Sequence, residues 1–197
     1  GEVAAIEAMR AALEADFGIR AVYVPADMAR PAEVGAMVAG AAKALGSVDI
    51  LVNNAGIQHV AAIEDFPDEA WDRVIAVNVT GPMRLARAVL PIMEKQGGGA
   101  IVTVASKASV GAGAAGAAYT TSKHAVIGLV KSIAYFYGPK KIRSNAVLPG
   151  AVATNIGTTA MPKSEWAMGR AQLSMATMNP QPADPDQIAS AISWLAS

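Results

Sequence analysis

Cysteine is absent from this chain of 197 residues, which excludes disulfide bonds and any chemistry that needs a thiolate. An excess of charge is absent as well, because Lys and Arg total 16 and Asp and Glu also total 16. A balanced chain offers no electrostatic footprint for nucleic acid or for an anionic membrane surface, so we expect neither as a partner. No apolar run reaches the roughly 20 residues that cross a bilayer, and no signal-peptide pattern opens the sequence. We therefore expect a cytoplasmic protein.

Short apolar runs alternate with longer, Ala-rich helical stretches along the sequence. This alternation is typical of an α/β fold, in which helices cover both faces of a mostly parallel sheet. The apolar runs predict strands at 19–24, 48–52, 100–105 and 142–148. Helical periodicity and helix-start signals predict helices at 1–16, from 31 onward, and at 69–95, 119–137 and 185–197. No linker or repeat divides the chain, so we predict one domain over residues 1–197.

The strongest chemical signal is Tyr119 four residues before Lys123 on a predicted helix. Residues i and i+4 share a helix face about 5–6 Å apart at Cβ, so we expect the Lys123 ammonium near the phenol. A cation about 4 Å away is worth about 4 kcal/mol at an effective dielectric of about 20. It would lower the phenol pKa from about 10 by up to about three units, enough for general acid–base catalysis. Ser106, at the end of a strand, is suited to hydrogen-bond a substrate oxygen that becomes negative.

A Tyr-x-x-x-Lys pair often arises by chance, and it becomes specific only through the motifs around it. Those motifs are Asp49-Ile-Leu-Val-Asn-Asn-Ala-Gly56, Asn78-Val-Thr-Gly81, Ser106, Tyr119-x-x-x-Lys123 and Pro149-Gly-Ala-Val-Ala-Thr154. In their order and approximate spacing, the chain resembles the short-chain dehydrogenase/reductases over essentially its whole length. The resemblance implies a single Rossmann-type doubly wound sheet. It also implies an enzyme, dependent on NAD or NADP, that interconverts a secondary alcohol and a ketone.

The resemblance further implies which residues bind the dinucleotide. Asp27 corresponds to the carboxylate that hydrogen-bonds the adenine amino group. Asn54, Ala55 and Gly56 correspond to the turn against which the adenine ribose packs, where Gly56 permits a close backbone approach. The alternative interpretation of the same segment is a structural turn, since Asn and Gly favour turns. The other implied cofactor residues are Val77, Tyr119, Lys123, Pro149, Gly150, Val152 and Thr154, the last of them bonding the nicotinamide carboxamide.

Catalytic roles are implied for Asn78, Ser106, Tyr119 and Lys123. In reduction the cofactor delivers hydride to the carbonyl carbon, Ser106 steadies the oxygen and Tyr119 donates the proton, and oxidation reverses each step. Lys123 also bonds the nicotinamide ribose. Asn78 resembles the asparagine that binds a water in a proton relay to Lys123. The alternative for an Asn within a helix, where its propensity is poor, is a kink with a satisfied amide.

The substrate pattern is mixed. The segments 56–60 and 63–67 resemble those of bacterial D-3-hydroxybutyrate dehydrogenases, in which the residue matching Gln58 helps to bind the substrate carboxylate. That likeness favours NAD over NADP. In that group a His and a Lys also hold the carboxylate, and this chain has Ala108 and Gly116 in their places. The stretch 119–154 is closer to the broad set of ketoreductases and polyol dehydrogenases. We therefore expect a small-molecule alcohol or ketone, bound by Gln58, Ser106 and Tyr119.

Residues 155–180 are expected to form a lid over the substrate. Its apolar side chains either line an adaptable pocket or pack the lid onto the body of the protein or onto a neighbouring subunit; they are Met161, Trp166, Met168, Met175 and Met178. His59 and His124 have no partner spacing for a metal, so we expect structural roles for them and no metal site. Lys107 and Ser109 flank the active strand and are expected to be exposed bystanders.

The family pattern begins with a strand, a Gly-rich turn for the pyrophosphate, a helix and a second strand, and it ends with a further strand. None of these appears in this sequence. A sheet without its central strand would leave backbone groups unpaired, each at a cost of about 1–3 kcal/mol. We therefore expect the whole molecule to contain these segments, and a mass measurement that found only these residues would contradict this expectation.

Two hypotheses of function compete. The first is an active oxidoreductase, and the second is a non-catalytic dinucleotide-binding protein on the same fold, because a fold alone does not fix function. The presence of Ser106, Tyr119 and Lys123 favours the enzyme. The helices at 69–95 and 119–137 resemble those that pair subunits in the family, so we expect a homotetramer or homodimer.

Overall fold

The computed structural model describes residues 2–112, 115–157 and 181–197, and the single positions 165, 169, 170 and 173. The strands within these residues are β1 (Ile50–Asn53), β2 (Gly99–Val104) and β3 (Ile142–Val147). The α-helices of the three described ranges are α1 (Glu2–Phe17), α2 (Pro31–Leu45), α3 (Asp68–Ile75), α4 (Gly81–Gln96), α5 (Ala117–Tyr137) and α6 (Pro185–Ala196). The predicted helices at 1–16, from 31 onward, at 119–137 and at 185–197 are confirmed to within a few residues.

The three strands form one parallel sheet in the order β1-β2-β3. Leu51 lies opposite Ile101, and Ile101 lies opposite Ser144 in the next strand. Helical segments lie between consecutive strands along the chain, as parallel pairing requires. Three of the four predicted strands are therefore confirmed, and their carboxyl ends share one edge of the sheet.

The fourth predicted strand, at 19–24, is wrong. These residues form no strand in the structure, and Ile19, Val22 and Tyr23 are exposed. β-branched residues favour a strand only when a neighbouring strand supplies hydrogen-bond partners. Within the described part of the chain, the sheet consists of β1, β2 and β3, and the segment at 19–24 pairs with none of them.

Different helices cover the two faces of the sheet. Because paired residues of parallel strands point to the same face, Leu51 and Ile101 share one face. That face packs against α2, α4 and α5 in the main core, whose largest fully buried side chains are Val34, Val89, Met93, Ile101 and Ile142. On the opposite face, α6 contacts β2 and β3. The predicted α/β arrangement, with helices on both faces of a parallel sheet, is confirmed.

The predicted long helix at 69–95 is interrupted. Between α3 and α4 the chain makes a π-helical turn over Ala76–Thr80, with Asn78 at its centre and only 2% exposed. A π-helical turn rotates the residues that follow it and is frequent at functional sites. It brings the Asn78 side chain against the loop that follows β1, as described below.

The last helix is fixed at both ends. The Asp184 carboxylate accepts a hydrogen bond from Asp186 N at 2.9 Å, and the Gln187 side chain accepts one from Asp184 N at 3.0 Å, which is a capping box. At the other end, the Arg143 guanidinium of β3 donates to the carbonyl oxygens of Leu195 at 2.6 Å and Ser197 at 2.7 Å. A cation at a helix carboxyl terminus also interacts favourably with the negative end of the helix dipole. This interaction ties α6 to the sheet.

Truncation of Met93 is expected to destabilise the protein. Its side chain is 0% exposed in the core, so Met93→Ala should lower the free energy of unfolding by about 2–5 kcal/mol, the usual cost of a buried cavity. Met9→Ala is the matched control, because Met9 is also on a helix but is 67% exposed, and its effect should stay within about 0.5 kcal/mol. Urea denaturation followed by circular dichroism measures both, and equal effects would contradict the assignment of the core.

Candidate active site

A cleft of about 800 Å³ opens at the edge of the sheet where the strands end. Parallel α/β sheets bind ligands outside the carboxyl ends of their strands. The wall of the cleft includes most of the expected site residues: Asn54, Gly56, Ser106, Tyr119, Lys123, Pro149, Gly150, Val152 and Thr154. Other expected residues lie outside this wall; they are Asp27, Ala55, Gln58, Val77 and Asn78.

Ser106 lies in extended backbone directly beyond β2 and caps a short 3₁₀ turn at Lys107–Ser109. Its hydroxyl oxygen accepts a hydrogen bond from Ala108 N at 3.1 Å. The Ser109 hydroxyl accepts one from Ser106 N at 3.2 Å, and Ser109 is only 4% exposed. The expectation that Ser109 is an exposed bystander is therefore wrong, because its side chain points back to the backbone of Ser106. Lys107 is exposed, as expected.

Tyr119 and Lys123 are brought together in the first two turns of α5. Both are buried, with exposed fractions of 8% and 5%. The Lys123 ammonium lies 5.5 Å from the centroid of the Tyr119 ring and donates a hydrogen bond to the Val104 carbonyl at 2.7 Å. The end of β2 and the start of α5 are thereby joined, and both side chains face the same cleft as Ser106.

The expected lowering of the Tyr119 pKa by Lys123 is wrong for the structure as it stands. Burial raises the pKa of Tyr119 above its ordinary value, and hydrogen bonding from the Ser106 hydroxyl partly opposes this rise. Burial also lowers the pKa of Lys123 from 10.5 to about 8. The physical reason is that desolvation penalises the charged form of each group, while the ammonium is engaged by the Val104 carbonyl. The phenol is therefore protonated at neutral pH.

The Asn78 side chain holds the loop after β1 against α5. Its Oδ1 accepts a hydrogen bond from Ile57 N at 2.9 Å, and its Nδ2 donates to Ile57 O at 2.8 Å and to Ser122 Oγ at 3.0 Å. The Ser122 hydroxyl in turn donates to Tyr119 O at 2.7 Å. The satisfied amide is the alternative that the sequence left open. Sequence reasoning missed Ile57 and Ser122, although Ser122 lies one helical turn after Tyr119.

Gln58 and Gly116 are two positions expected to bear on substrate binding, and both lie outside the wall of the cleft. The Gln58 side-chain amide donates to the Ile156 carbonyl at 3.0 Å, across to the segment that follows β3. Gly116 has a φ of +85°, and a Cβ there would lie 2.5 Å from the His59 carbonyl oxygen. Any other residue at 116 would be strained in its backbone and would clash with the backbone of the 58–60 loop. Ala108 is likewise buried, at 6% exposed.

The proposed adenine-binding carboxylate is already engaged by protein groups. Both Asp27 oxygens accept hydrogen bonds from Arg73 Nη1 at 2.9 Å, and Oδ1 also accepts one from Ala29 N at 2.9 Å. The Arg73 guanidinium and the Ala29 amide hold the pKa of Asp27 below its ordinary value. Sequence analysis did not foresee Arg73, because it lies on α3, 46 residues after Asp27 in the chain.

The segment after β3 is hydrogen-bonded to the residues that precede α6. Val152 forms a parallel bridge with Ala183, and Ala153 N donates to Ala183 O at 3.0 Å. Lys107 N donates to Pro149 O at 2.8 Å, which fixes the start of the segment to the Ser106 turn. Sequence reasoning missed the wall that α6 contributes to the cleft, namely Pro185, Ile188, Ala189 and Ile192.

The residues of the cleft fit a dinucleotide. The Lys123 ammonium has three donors and uses one on the Val104 carbonyl, so it can donate to ribose hydroxyls in the cleft. A Cβ on Gly56 would lie 3.6 Å from both Lys123 Nζ and Asn78 Oδ1, so Gly56 faces this polar gap. The protein alone would tolerate a methyl group there, because 3.6 Å is an ordinary contact. The expected lid residues Met161, Trp166, Met168, Met175 and Met178 lie outside the described residues.

The two histidines have structural partners. His59 stacks edge-on against Phe66, with ring centroids 5.2 Å apart, and His124 Nδ1 lies 3.0 Å from Thr120 O. Across the three described ranges and the isolated described positions, no cluster of His, Asp and Glu has the grouping of a metal site. The same residues contain no helix long and apolar enough to span a bilayer.

The sequence profile of the short chain dehydrogenase family matches residues 2–165. The chain belongs to this family. It is 45% identical to a D-beta-hydroxybutyrate dehydrogenase of Cupriavidus necator over 141 residues, which cover 72% of the chain and 55% of that protein. It is 38% identical to a 3beta-hydroxysteroid dehydrogenase of Eggerthella lenta over 185 residues, which cover 93% of the chain and 71% of that protein. The chain spans about half the length of several curated relatives that it matches.

Solved structures of the family share the fold. The crystal structure of an NAD⁺-bound xylitol dehydrogenase superposes with a TM-score of 0.84 at 28% identity and covers 98% of this chain and 78% of the other. A short-chain dehydrogenase from Streptomyces avermitilis gives a TM-score of 0.81 at 29% identity, over 93% of this chain and 69% of the other. The predicted Rossmann-type fold is confirmed by these likenesses.

Burial of Lys123 predicts a characteristic dependence of stability on pH. Its pKa is about 8 in the folded protein and 10.5 ordinarily, so the unfolded chain binds more protons between these values and stability rises with pH through that window. From pH 8 to pH 10 the gain should be about 2 kcal/mol. The raised pKa of Tyr119 acts in the opposite direction, but only above about pH 10.

Lys123→Met should remove this rise, whereas Lys131→Met, which changes an exposed lysine on the same helix, should retain it. Urea denaturation at a series of pH values measures the slope. A rise that persists unchanged in Lys123→Met would show that the buried ammonium is not its source.

Proposed function

We propose that the protein is an oxidoreductase that interconverts a secondary alcohol and a ketone with NAD or NADP as the hydride carrier. The observation that carries this proposal is the meeting of Ser106, Tyr119 and Lys123 in one cleft at the carboxyl edge of the sheet. The family of the chain and the names of its relatives support the same reaction class. When bound, the nicotinamide supplies the hydride transfer.

The side chains then divide the proton chemistry. Tyr119 is protonated at neutral pH because burial raises its pKa, so it is ready to donate a proton to the substrate oxygen during reduction. The Ser106 hydroxyl donates a hydrogen bond to that oxygen, and this bond strengthens as negative charge develops on the oxygen. In oxidation Tyr119 must first lose its proton, so that direction should accelerate as the pH rises. The Lys123 ammonium holds the ribose, and the proposed turn at Asn54, Ala55 and Gly56 and the segment from Pro149 to Thr154 line the cofactor site.

We propose further that Asp27 meets the adenine end of the cofactor, that Val77 supports the cofactor site, and that Asn78 binds a water in the proton relay to Lys123. NAD is favoured over NADP by the likeness to the hydroxybutyrate dehydrogenases and by the NAD⁺-bound structural relative. We also propose one domain with a lid at about 155–180, a cytoplasmic location, and a homotetramer or homodimer paired through the helices of residues 68–96 and 117–137.

The substrate is proposed to be an uncharged alcohol or ketone. A small carboxylate needs a positive charge or several donors, since burying it unpaired is costly. Ala108 is buried and Gly116 is required by its backbone, so neither position offers such a group. The Gln58 amide, implied by resemblance to bind a carboxylate, donates to Ile156 O. The alternative is D-3-hydroxybutyrate itself, which the 45% identity to the Cupriavidus necator enzyme favours.

The central test is Tyr119→Phe. Removal of the phenol oxygen eliminates the proton donor, so turnover should fall by about 10²–10⁴-fold, while binding of the reduced cofactor should persist. Tyr135→Phe is the matched control, because Tyr135 lies on the same helix but is 79% exposed, and it should retain full activity. Absorbance of the reduced nicotinamide is followed with a panel of ketones and alcohols. Cofactor binding without turnover of any compound by the unaltered protein would favour the non-catalytic alternative.

A second test compares D-3-hydroxybutyrate with its methyl ester. The ester has no charge to desolvate, so its kcat/KM should exceed that of the acid by about tenfold or more. The same comparison for Gln58→Leu tests whether the amide recognises a carboxylate, in which case only the acid would lose activity. A preference for the acid that disappears in Gln58→Leu would establish the hydroxybutyrate alternative.

A further inference from the structure

Two serines in the turn after β2 hold each other. The Ser106 hydroxyl oxygen accepts a hydrogen bond from Ala108 N at 3.1 Å, and the Ser109 hydroxyl accepts one from Ser106 N at 3.2 Å. Ser109 N also donates to Ser106 O at 2.8 Å. Ser109 is 4% exposed, although Val110 next to it is 72% exposed. A buried serine therefore accepts a hydrogen bond from the backbone of Ser106, the proposed catalytic residue that lines the cleft.

The ends of this turn are anchored to the neighbouring strand. Ala105 N donates to Val147 O at 2.8 Å, and Lys107 N donates to Pro149 O at 2.8 Å. Between these anchors the Ser106 N–H donates to the Ser109 hydroxyl, and it pairs with no strand in the described part of the chain. If the hydroxyl were removed, a part-buried N–H would lose its acceptor, and the peptide would have to rotate to find another.

The orientation of the Ser106 hydroxyl depends on that peptide. Because its oxygen accepts from Ala108 N, its proton is free to be donated toward the cleft, where Tyr119 lies. Hydrogen bonding from Ser106 lowers the pKa of Tyr119 against the effect of burial. An Ala108 amide that donates to the serine oxygen also polarises the hydroxyl and makes it a better donor.

We propose that Ser109 is a positioning residue of the active site, which fixes the Ser106 peptide so that the Ser106 hydroxyl reaches both the Tyr119 phenol and the substrate oxygen. The inference rests on the proposed oxidoreductase function and adds a residue that does not itself touch the substrate. It predicts that a change at 109 is felt at Tyr119, which lies on a different element.

The test combines Ser109→Ala with measurements of Tyr119 ionisation and of activity. Phenolate absorbance is recorded against pH as the difference between each protein and its Tyr119→Phe counterpart, which isolates one of the four tyrosines. Ser109→Ala should move this titration to higher pH by roughly half a unit, as expected when a donor to the phenolate is lost. It should also lower kcat/KM for oxidation about five- to tenfold, the effect of one hydrogen bond, and shift its rising pH limb in the same direction.

Ser109→Thr retains a hydroxyl and should restore both values. Ser144→Ala is the matched control, because Ser144 is also buried, at 7% exposed, and its hydroxyl has no hydrogen-bond partner within the described residues; neither the titration nor the activity should change. If Ser109→Ala does not fold, Ser109→Cys has nearly the same shape with a weaker acceptor and should show a smaller shift in the same direction.

An unchanged Tyr119 titration in a folded Ser109 variant would overturn the proposal, as would an equal shift in Ser144→Ala. Lost thermal stability with an unshifted titration would also overturn it, because that result assigns Ser109 a structural role alone. The titration needs no turnover, so it decides the role of Ser109 even if no ketone or alcohol is converted. A failure to convert any ketone or alcohol would count against the proposed function instead.

Discussion

The hydrogen bond from the Lys123 ammonium to the Val104 carbonyl is the contact on which the site depends. It joins the last residue of β2 to the second turn of α5 at 2.7 Å. The ammonium is buried, and a buried charge is tolerated only where it is paired or hydrogen-bonded. The carbonyl that satisfies Lys123 also fixes where the helix begins relative to the strand. The Tyr119 phenol and the Ser106 hydroxyl are placed by the two elements that this contact joins.

A second set of hydrogen bonds holds the loop after β1 against α5. The Asn78 amide, presented by a π-helical turn, accepts from and donates to the Ile57 backbone and reaches Ser122 beneath Tyr119. Buried polar networks of this kind are costly when incomplete and rigid when complete. Together with the Lys123 bond, they make the cleft a preorganised site, in which side chains need little rearrangement when a ligand enters.

The electrostatics of the cleft also follow from burial. Lys123 and Tyr119 lie side by side, yet each has its charged form disfavoured by desolvation. Proximity alone would have made the phenol acidic, as the spacing on the helix suggested. The outcome is a neutral phenol beside an ammonium that titrates near pH 8, an arrangement suited to proton donation at neutral pH.

Local pattern was sufficient for much of this protein. Helices with clear starts, such as the one opened by Asp184 and Pro185, and buried apolar runs, such as β2, were predictable because their signals are contained in a few neighbouring residues. The motif at Tyr119 and Lys123 was predictable for the same reason. The segment at 19–24 was not, because β-branched residues form a strand only beside another strand.

The sequence by itself determined the family and the parallel α/β architecture. It also singled out Ser106, Tyr119 and Lys123 as candidate site residues, and the structure brings them together in one cleft. Only the tertiary structure decided that Ser109 is buried against the Ser106 backbone and that Arg73 pairs with Asp27. It also decided that the His59 carbonyl leaves no room for a Cβ at Gly116. The physical reason is common to all three. Burial, pKa and hydrogen-bond partners are set by groups distant in sequence or by the rotation of a single peptide, and periodicity and spacing record neither.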